Sequence, residues 1–435
     1  MIAAPHDLRG RLEPVLERLH AMHPRVIDLS LGRIEKLLDL LGNPQRRLPP
    51  VIHVAGTNGK GSTCAFLRAI AESAGLRVHV YTSPHLVHFN ERIRIAGTLA
   101  DDAMLLAALE EIEAAGALAP VTVFEAITAA AFLLFSRVPA DLCILEVGLG
   151  GKLDATNVDV PVVAAAITSL SLDHQSFLGD TLEQIAGEKA GIARSFVPLI
   201  TGFQQEPAMQ VIAAAAAARG AVLNQRGTSW QIEQRGDGLH FQDASGALDL
   251  PLPSLPGTHQ IENAGIAIAA LRASGLPIPN AAYGAIAEAE WPGRMQRLTG
   301  KLAALLPPHA ELWLDGGHNP GAGIILAEHL RLWRDKPTHL VIGMKDSKDV
   351  AGFLAPLTPL AASVWAIAEP GQHLALTPER IVAASGGAAR IGPRIADALR
   401  SIARADTPCR VLICGSLYLA GEVLKLDAGA LPIAG

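Results

Sequence analysis

The stretch Val51–Ser62, VIHVAGTNGKGS, constrains this chain more than any other. Val51-Ile52-His53-Val54 is a short apolar, β-branched run, the composition of a buried parallel strand. It breaks into Gly56-Thr57-Asn58-Gly59-Lys60-Gly61-Ser62, and an apolar-periodic helix comes next with Cys64, Leu67, Ile70 and Ala71 on one face. A glycine-rich turn between strand and helix points successive backbone N–H groups at one spot. The helix N-terminus adds partial positive charge, Lys60 a full one, and Ser62 or Thr63 a hydroxyl for a metal. The stretch reads as a cradle for the phosphates of a nucleotide. It departs from the strict phosphate-loop pattern, with Val54 in place of the first glycine and Gly61 directly after the lysine. The strand–loop–helix context that the pattern requires is present.

Along the chain, apolar residues at helical spacing (Leu12, Val15, Leu16, Leu19, then Ile34, Leu37, Leu38) make the first fifty residues helical. A second strand, Arg77–Tyr81, ends at Thr82-Ser83-Pro84-His85. Helices over about 102–115 and 124–136 lead to a third strand ending at Glu146, and Val162–Ile167 is a fourth, leading to Asp173-His174. Strands alternating with helices predict a doubly wound, mostly parallel sheet. In 221–255, Trp230, Ile232, Leu239 and Phe241 alternate with polar residues around Gly236-Asp237-Gly238, a hairpin pattern. A helix spans about His259–Ala273. Strands then recur at Leu312–Leu314, Leu340–Ile342, Val364–Ile367 and Val411–Ile413, which predicts a smaller, Rossmann-like α/β domain. The 435 residues suit two domains, divided as 1–295 and 296–435.

A net charge of −6 argues against a general grip on nucleic acid. No apolar run reaches a membrane span, and MIAAPHDLRG lacks a signal pattern. The four cysteines show no C-x-x-C spacing, so the cytoplasm is the expected compartment.

Ligands of parallel α/β sheets bind beyond the C-terminal ends of the strands. Here the first strand delivers the phosphate loop, the second Ser83 and His85, the third Glu146, and the fourth Asp173-His174. A carboxylate ending a buried strand needs a cation. Mg²⁺ on phosphate oxygens and a salt bridge to a lysine such as Lys152 both fit. His174 with Asp173 as carboxylate partner is a candidate metal ligand. Asp180-Thr181-Leu182-Glu183 reads as a helix start capped at Asp180, with Gly191 as the stop. Leu182, Ile185, Ala186 and Lys189 then share the apolar face. Lys189 is either a buried amine of lowered pKa or a stem that snorkels to water. Asp315-Gly316-Gly317-His318-Asn319-Pro320 is a further polar cluster at a strand end, open to reading as a site or as a capped turn.

The motifs GTNGKGS, TSPH (82–85) with FNERI (89–93), EVGLGGKLDATN (146–157), LDH (172–174), GEKAGI (187–192), PGRMQRL (292–298) and DGGHNP (315–320) occur in this order. The chain resembles the folylpolyglutamate synthases and bifunctional dihydrofolate synthases of bacteria, members of the Mur ligase superfamily, from about Ile27 to 424. The resemblance implies an ATP-dependent ligase adding L-glutamate to dihydropteroate and to reduced folates through an acyl phosphate. Folylpolyglutamate synthesis alone, or a UDP-muramyl-type ligation, are the alternatives. ATP would be held by Gly56, Thr57, Asn58, Gly59, Lys60, Gly61, Ser62, Asn263, Arg294 and Asp315. Ser83 and Glu146 match ligands of one Mg²⁺ site; Glu146, His174 and Lys189, the last as a carbamate, match a second. Lys60, His174, Lys189 and His318 are the implied catalytic residues. The dihydropteroate pocket maps to Ile27, Asp28, Leu29 and Ser30, Thr122, Val123, Phe124 and Glu125, and Leu153, Asp154 and Ala155. A monomer acting on small molecules, without membrane or nucleic-acid partners, is expected. Gly317 departs from the family's more usual Ala, and residues 343–348 match its pattern only loosely, which leaves the glutamate contacts open.

Overall fold

The computed structural model describes Val15, residues 30–115 and residues 121–431. The helical pattern of the first thirty residues, Val15 apart, and the expected pocket residues Ile27, Asp28 and Leu29 lie outside them.

Eight strands form the first sheet: β1 (Val51–Ala55), β2 (Val78–Tyr81), β3 (Ile93–Ile95), β4 (Thr98–Leu99), β5 (Leu142–Glu146), β6 (Val162–Ile167), β7 (Pro198–Thr201) and β8 (Val222–Gln225). Their order is β4-β3-β2-β5-β1-β6-β7-β8, parallel except for β3 and β4. β1 and β5 are buried at every position, the reason their sequences are continuously apolar rather than alternating. One face carries helices Gly32–Leu40, Asp102–Ala114 and Val123–Phe135, packed on Val51, Tyr81 and Leu145. The other carries helices Lys60–Ser73 and Thr258–Ala273, whose Phe66, Leu67, Ile70 and Ile266 cover Ile52, Val54 and Ile144. The parallel register sets Val54 beside Glu146 and Ala55 beside Ile167. The ends of β5, β1 and β6 therefore form one rim.

The hairpin pattern becomes a three-stranded antiparallel sheet, β9 (Trp230–Arg235), β10 (Gly238–Asp243) and β11 (Gly246–Pro251). Trp230 and Phe241 stack at 5.9 Å and join the core beneath helix Thr258–Ala273. The third sheet has the order β12-β13-β17-β14-β15-β16, built from β12 (Gln296–Leu298), β13 (Glu311–Leu314), β14 (Thr338–Ile342), β15 (Ser363–Ala366), β16 (Ala389–Ile391) and β17 (Arg410–Cys414). β12 and β16 are three-residue edge strands with exposed positions, too short and polar to show a strand period in the sequence.

Helix Leu182–Ala190 is capped one residue later than the sequence pattern suggests. Thr181, not Asp180, accepts from Gln184 N at 3.3 Å, and Gln184 reaches back to Thr181 N at 3.1 Å. Both pairs fit a capping box, and the tertiary position of Leu182 and Ile185 selects between them. Gly191 ends this helix with ordinary right-handed backbone; a Cβ there would collide with Lys152, so close approach is what requires glycine.

Candidate functional site

At the rim of the first sheet, Thr57 N and Asn58 N donate to Ser169 O at 3.0 and 3.1 Å, tying the loop to the segment after β6. Gly59 has φ +90, and a Cβ there would collide with the Asn263 amide, which closes the turn from helix Thr258–Ala273. Lys60 Nζ lies over the loop, donating to Gly56 O at 3.0 Å and Thr57 O at 3.3 Å. The Ser62 and Thr63 hydroxyls are buried and have no hydrogen-bond partner among the described residues. Orphaned hydroxyls at a helix start are groups that a bound cation or anion would satisfy.

Glu146 is buried and accepts from Ser83 N at 3.1 Å. Lys152 is exposed and donates its own N–H to Glu188 O, so the salt-bridge reading of Glu146 does not hold. Burial raises the Glu146 carboxyl, opposed chiefly by Lys60. Lys189 faces inward and is buried; loss of solvation, helped by the charge of Lys60, brings its amine down to about 7. Among the described residues no group accepts a hydrogen bond from it. His174, at φ +52, is held neutral to about 4, first by burial and then by Lys348. No cluster of three His, Cys, Asp or Glu side chains suited to a metal occurs among the described residues.

Asp173 departs from its expected role. Its carboxylate accepts from Lys348 Nζ at 2.6 Å and Asn319 Nδ2 at 2.9 Å, with His318 Nε2 at 3.6 Å and His174 Nε2 only at 4.0 Å. It joins the two domains rather than orienting the His174 ring. The neighbouring His318 and, after it, the charge of Lys348 hold it well below the usual carboxylate range, against its burial. Asn319 also exchanges amide hydrogen bonds with Asn58 of the loop at 3.0 and 3.1 Å and caps helix Pro320–Leu332 through Ala322 N. His318 Nδ1 donates to Gly316 O at 2.8 Å. Asp315 accepts from Met295 N and Gly317 N, fixing the interdomain segment at Arg294.

Two cavities open here. The first, of about 440 Å³, is lined by Gly56–Ser62, Glu146, His174, Lys189, Asn263, Arg294, Asp315 and His318. The second, of about 510 Å³ and mostly apolar, is lined by Ser30, Thr122–Glu125, Leu153, Asp154 and Ala155. They share Ser83, Pro84, Gly148, Leu149, His174, His318 and Leu417. His85 lines neither; its Nδ1 accepts from Arg92 Nε at 2.9 Å. Asp154 lines the second, but its carboxylate accepts from Gly148 N, Leu149 N and Thr156, so it shapes the loop. Sequence reasoning did not place Arg33, Arg92, Lys345, Lys348 and Tyr418 in the second cavity, nor Phe203 and His259 in the first. FNERI carried a signal for Arg92, and the loosely matching segment 343–348 a weaker one for Lys345 and Lys348; Arg33, Phe203 and His259 obey no local pattern.

Beneath this loop, Thr156 Oγ1 donates to Asp154 and so accepts from His53 Nε2 at 2.8 Å, leaving Nδ1 bare and buried. Burial, then Arg194, lowers His53 to about 3. Below its ordinary value of 6.5 the unfolded chain takes up a proton that the folded chain refuses. Stability therefore falls as pH drops from 6.5 toward 3, with a limiting contribution from His53 of about 1.4 kcal/mol per pH unit. Melting temperature against pH should be flatter for His53→Gln than for wild type; parallel profiles would refute the assignment.

Two family models match, the Mur ligase middle domain over residues 54–271 and the dihydrofolate synthetase C-terminal domain over 301–426. The chain is 38% identical over 416 residues to the dihydrofolate synthase/folylpolyglutamate synthase of Escherichia coli, covering 94% of each. A structure of E. coli FolC in complex with DHPP and ADP superposes with TM-score 0.87 at 36% identity, over 97% of this chain and 99% of that one. A bifunctional folylpolyglutamate synthase/dihydrofolate synthase with Mn, AMPPNP and L-glutamate bound superposes with TM-score 0.85 at 35% identity, over 96% and 98%.

Proposed function

The chain belongs to the dihydrofolate synthase/folylpolyglutamate synthase family of ligases, and from that premise we propose that it uses ATP to join L-glutamate to dihydropteroate and to the γ-carboxyl of folates. The observation that carries this reading is the common wall of the two cavities: an acid seated in the apolar one reaches the cavity of the phosphate loop at Ser83, Gly148 and His174.

The acid's carboxylate oxygen attacks the γ-phosphorus of ATP and ADP leaves, giving an acyl phosphate. Lys60 and the backbone amides at the helix start stabilise charge on the phosphoryl oxygens. The glutamate amine then attacks the acyl carbon, forming the amide and releasing phosphate. The His318 bond to Gly316 O puts a proton on Nδ1, which leaves Nε2 to take the amine's proton beside Asp173. Arg92 and Lys345 line the second cavity and give it cationic groups suited to the carboxylates of glutamate and of a polyglutamate tail, while Lys348 is engaged by Asp173.

The donor set fits divalent cations: a buried carboxylate with one hydrogen bond, a neutral imidazole and orphaned hydroxyls. We assign Ser83 and Glu146 to one Mg²⁺ and Glu146, His174 and carbamylated Lys189 to a second. When bound, they neutralise phosphate charge. We further assign the division 1–295 and 296–435, supported by β12 opening the third sheet at Gln296, and a monomer acting on small molecules. Among the described residues no helix is long and apolar enough to cross a membrane.

The deciding assay measures amide formation from ATP, L-glutamate and dihydropteroate, and separately from reduced folates. ATP hydrolysis without either amide product would overturn the reading. The Asn58–Asn319–Asp173 contact predicts a further result. Asn319→Asp keeps the helix cap but loses the amide donors, and kcat/KM for ATP should fall by about tenfold. Asn319→Ala should also lose about 1 kcal/mol of stability with the cap. An Asp variant with unchanged kinetics would show that this contact does not serve turnover.

A further inference from the structure

Phe203 comes just after β7 at the C-terminal edge of the first sheet, lines the nucleotide cavity and is 61% exposed. An aromatic ring left this open in a cavity that the phosphate loop also lines is unusual, because its burial is what normally stabilises it. The ring is not loose. The Arg226 guanidinium lies 4.4 Å from its centroid, on a side that does not line the cavity. Arg226 is itself fixed by an ion pair to Glu262, by Nη2 donating to Ile232 O at 2.7 Å and by its N–H to Thr201 O at 2.9 Å. Glu262 also accepts from Phe203 N at 2.6 Å, and Gly202 has no Cβ to obstruct that carboxylate. Backbone and ring are thus both braced by the same two residues, and the exposed ring lines the cavity while Arg226 covers one of its faces.

Resting on the ATP-dependent reading above, we propose that Phe203, braced by Arg226 and Glu262, is the platform on which the nucleotide base stacks. The phosphates occupy Gly56–Ser62 at one part of the cavity, and a planar, electron-rich heterocycle is the piece of the nucleotide left to cover an open aromatic face. A cation behind the ring draws on its π-system and favours an electron-rich partner in front. Stacking of this kind is tolerant of base identity, since every base has a π-face. The platform therefore contributes affinity without choosing among purines.

The test uses the full chain and titrates ATP, GTP and inorganic tripolyphosphate, which lacks a base, into wild type, Phe203→Ala and Phe203→Trp. Phe203→Ala should weaken ATP and GTP binding alike by about tenfold, the lower end of the stacking range. Its tripolyphosphate affinity should stay unchanged, and in turnover KM for ATP should rise with kcat kept. Phe203→Trp should restore nucleotide affinity. Unchanged ATP affinity in Phe203→Ala, or equal weakening of tripolyphosphate, overturns the platform. Failure of wild type to bind ATP at all would instead overturn the ligase reading, and the platform with it.

Discussion

Lys60→Ala should lower turnover by about a hundredfold or more, the loss seen when an oriented charge stabiliser leaves a transition state. The geometry supports a loss in chemistry rather than in folding. Among the described residues Lys60 Nζ donates only to neutral acceptors, the carbonyls of Gly56 and Thr57, within the loop that leads to Ser62. Its ammonium is therefore available to a polyanion without breaking an ion pair. Glu146 and Lys189 both feel it, since its charge lowers each of their pKa values. Single-turnover rates at saturating ATP are the right readout. ADP affinity, held by the loop amides, should change less than the rate. Near-normal turnover in Lys60→Ala would remove the phosphate-loop assignment.

Lys189→Ala should lose divalent-cation affinity by roughly 10–100-fold or more, since even the groups that merely orient metal ligands are worth that much. Glu146 and His174 supply one carboxylate and one imidazole, too few for a hard cation that prefers oxygen. A carbamate on Lys189 adds an oxygen pair, and only the neutral amine reacts with CO₂. Burial supplies that form by bringing the amine down to about 7, so the reactive species predominates at mildly alkaline pH. Stability has the same sign: between about 7 and 10.5 the unfolded chain holds the proton more tightly, so stability rises with pH across that window. Acetate or formate, occupying the vacated space, should partly restore Lys189→Ala. Intact-protein mass spectra under CO₂ showing only unmodified lysine would refute the carbamate.

Much of this molecule is written in local pattern. A continuous apolar run of four or five residues is buried on both faces, so Val51–Val54 and Leu142–Leu145 could be read as central parallel strands, and the residues at the C-terminal end of each lie on the ligand-binding edge. Glu146 and the 56–62 loop are legible for that reason, Lys189 from its place on the apolar face of a helix, and the family motifs extend the reading to Asn263, Arg294 and Asp315. The sequence could not show which side chains meet across long separations. Asp173 sits beside His174 in the chain yet binds Asn319 and Lys348, 146 and 175 residues away. Phe203, His259 and Arg33 reach the cavities through the packing of separate elements, with no periodicity to announce them. Periodicity records which face of one element is dry. The partner of a charge or the open face of a ring depends on where a second element is placed, and that is decided only when sheets and domains pack together.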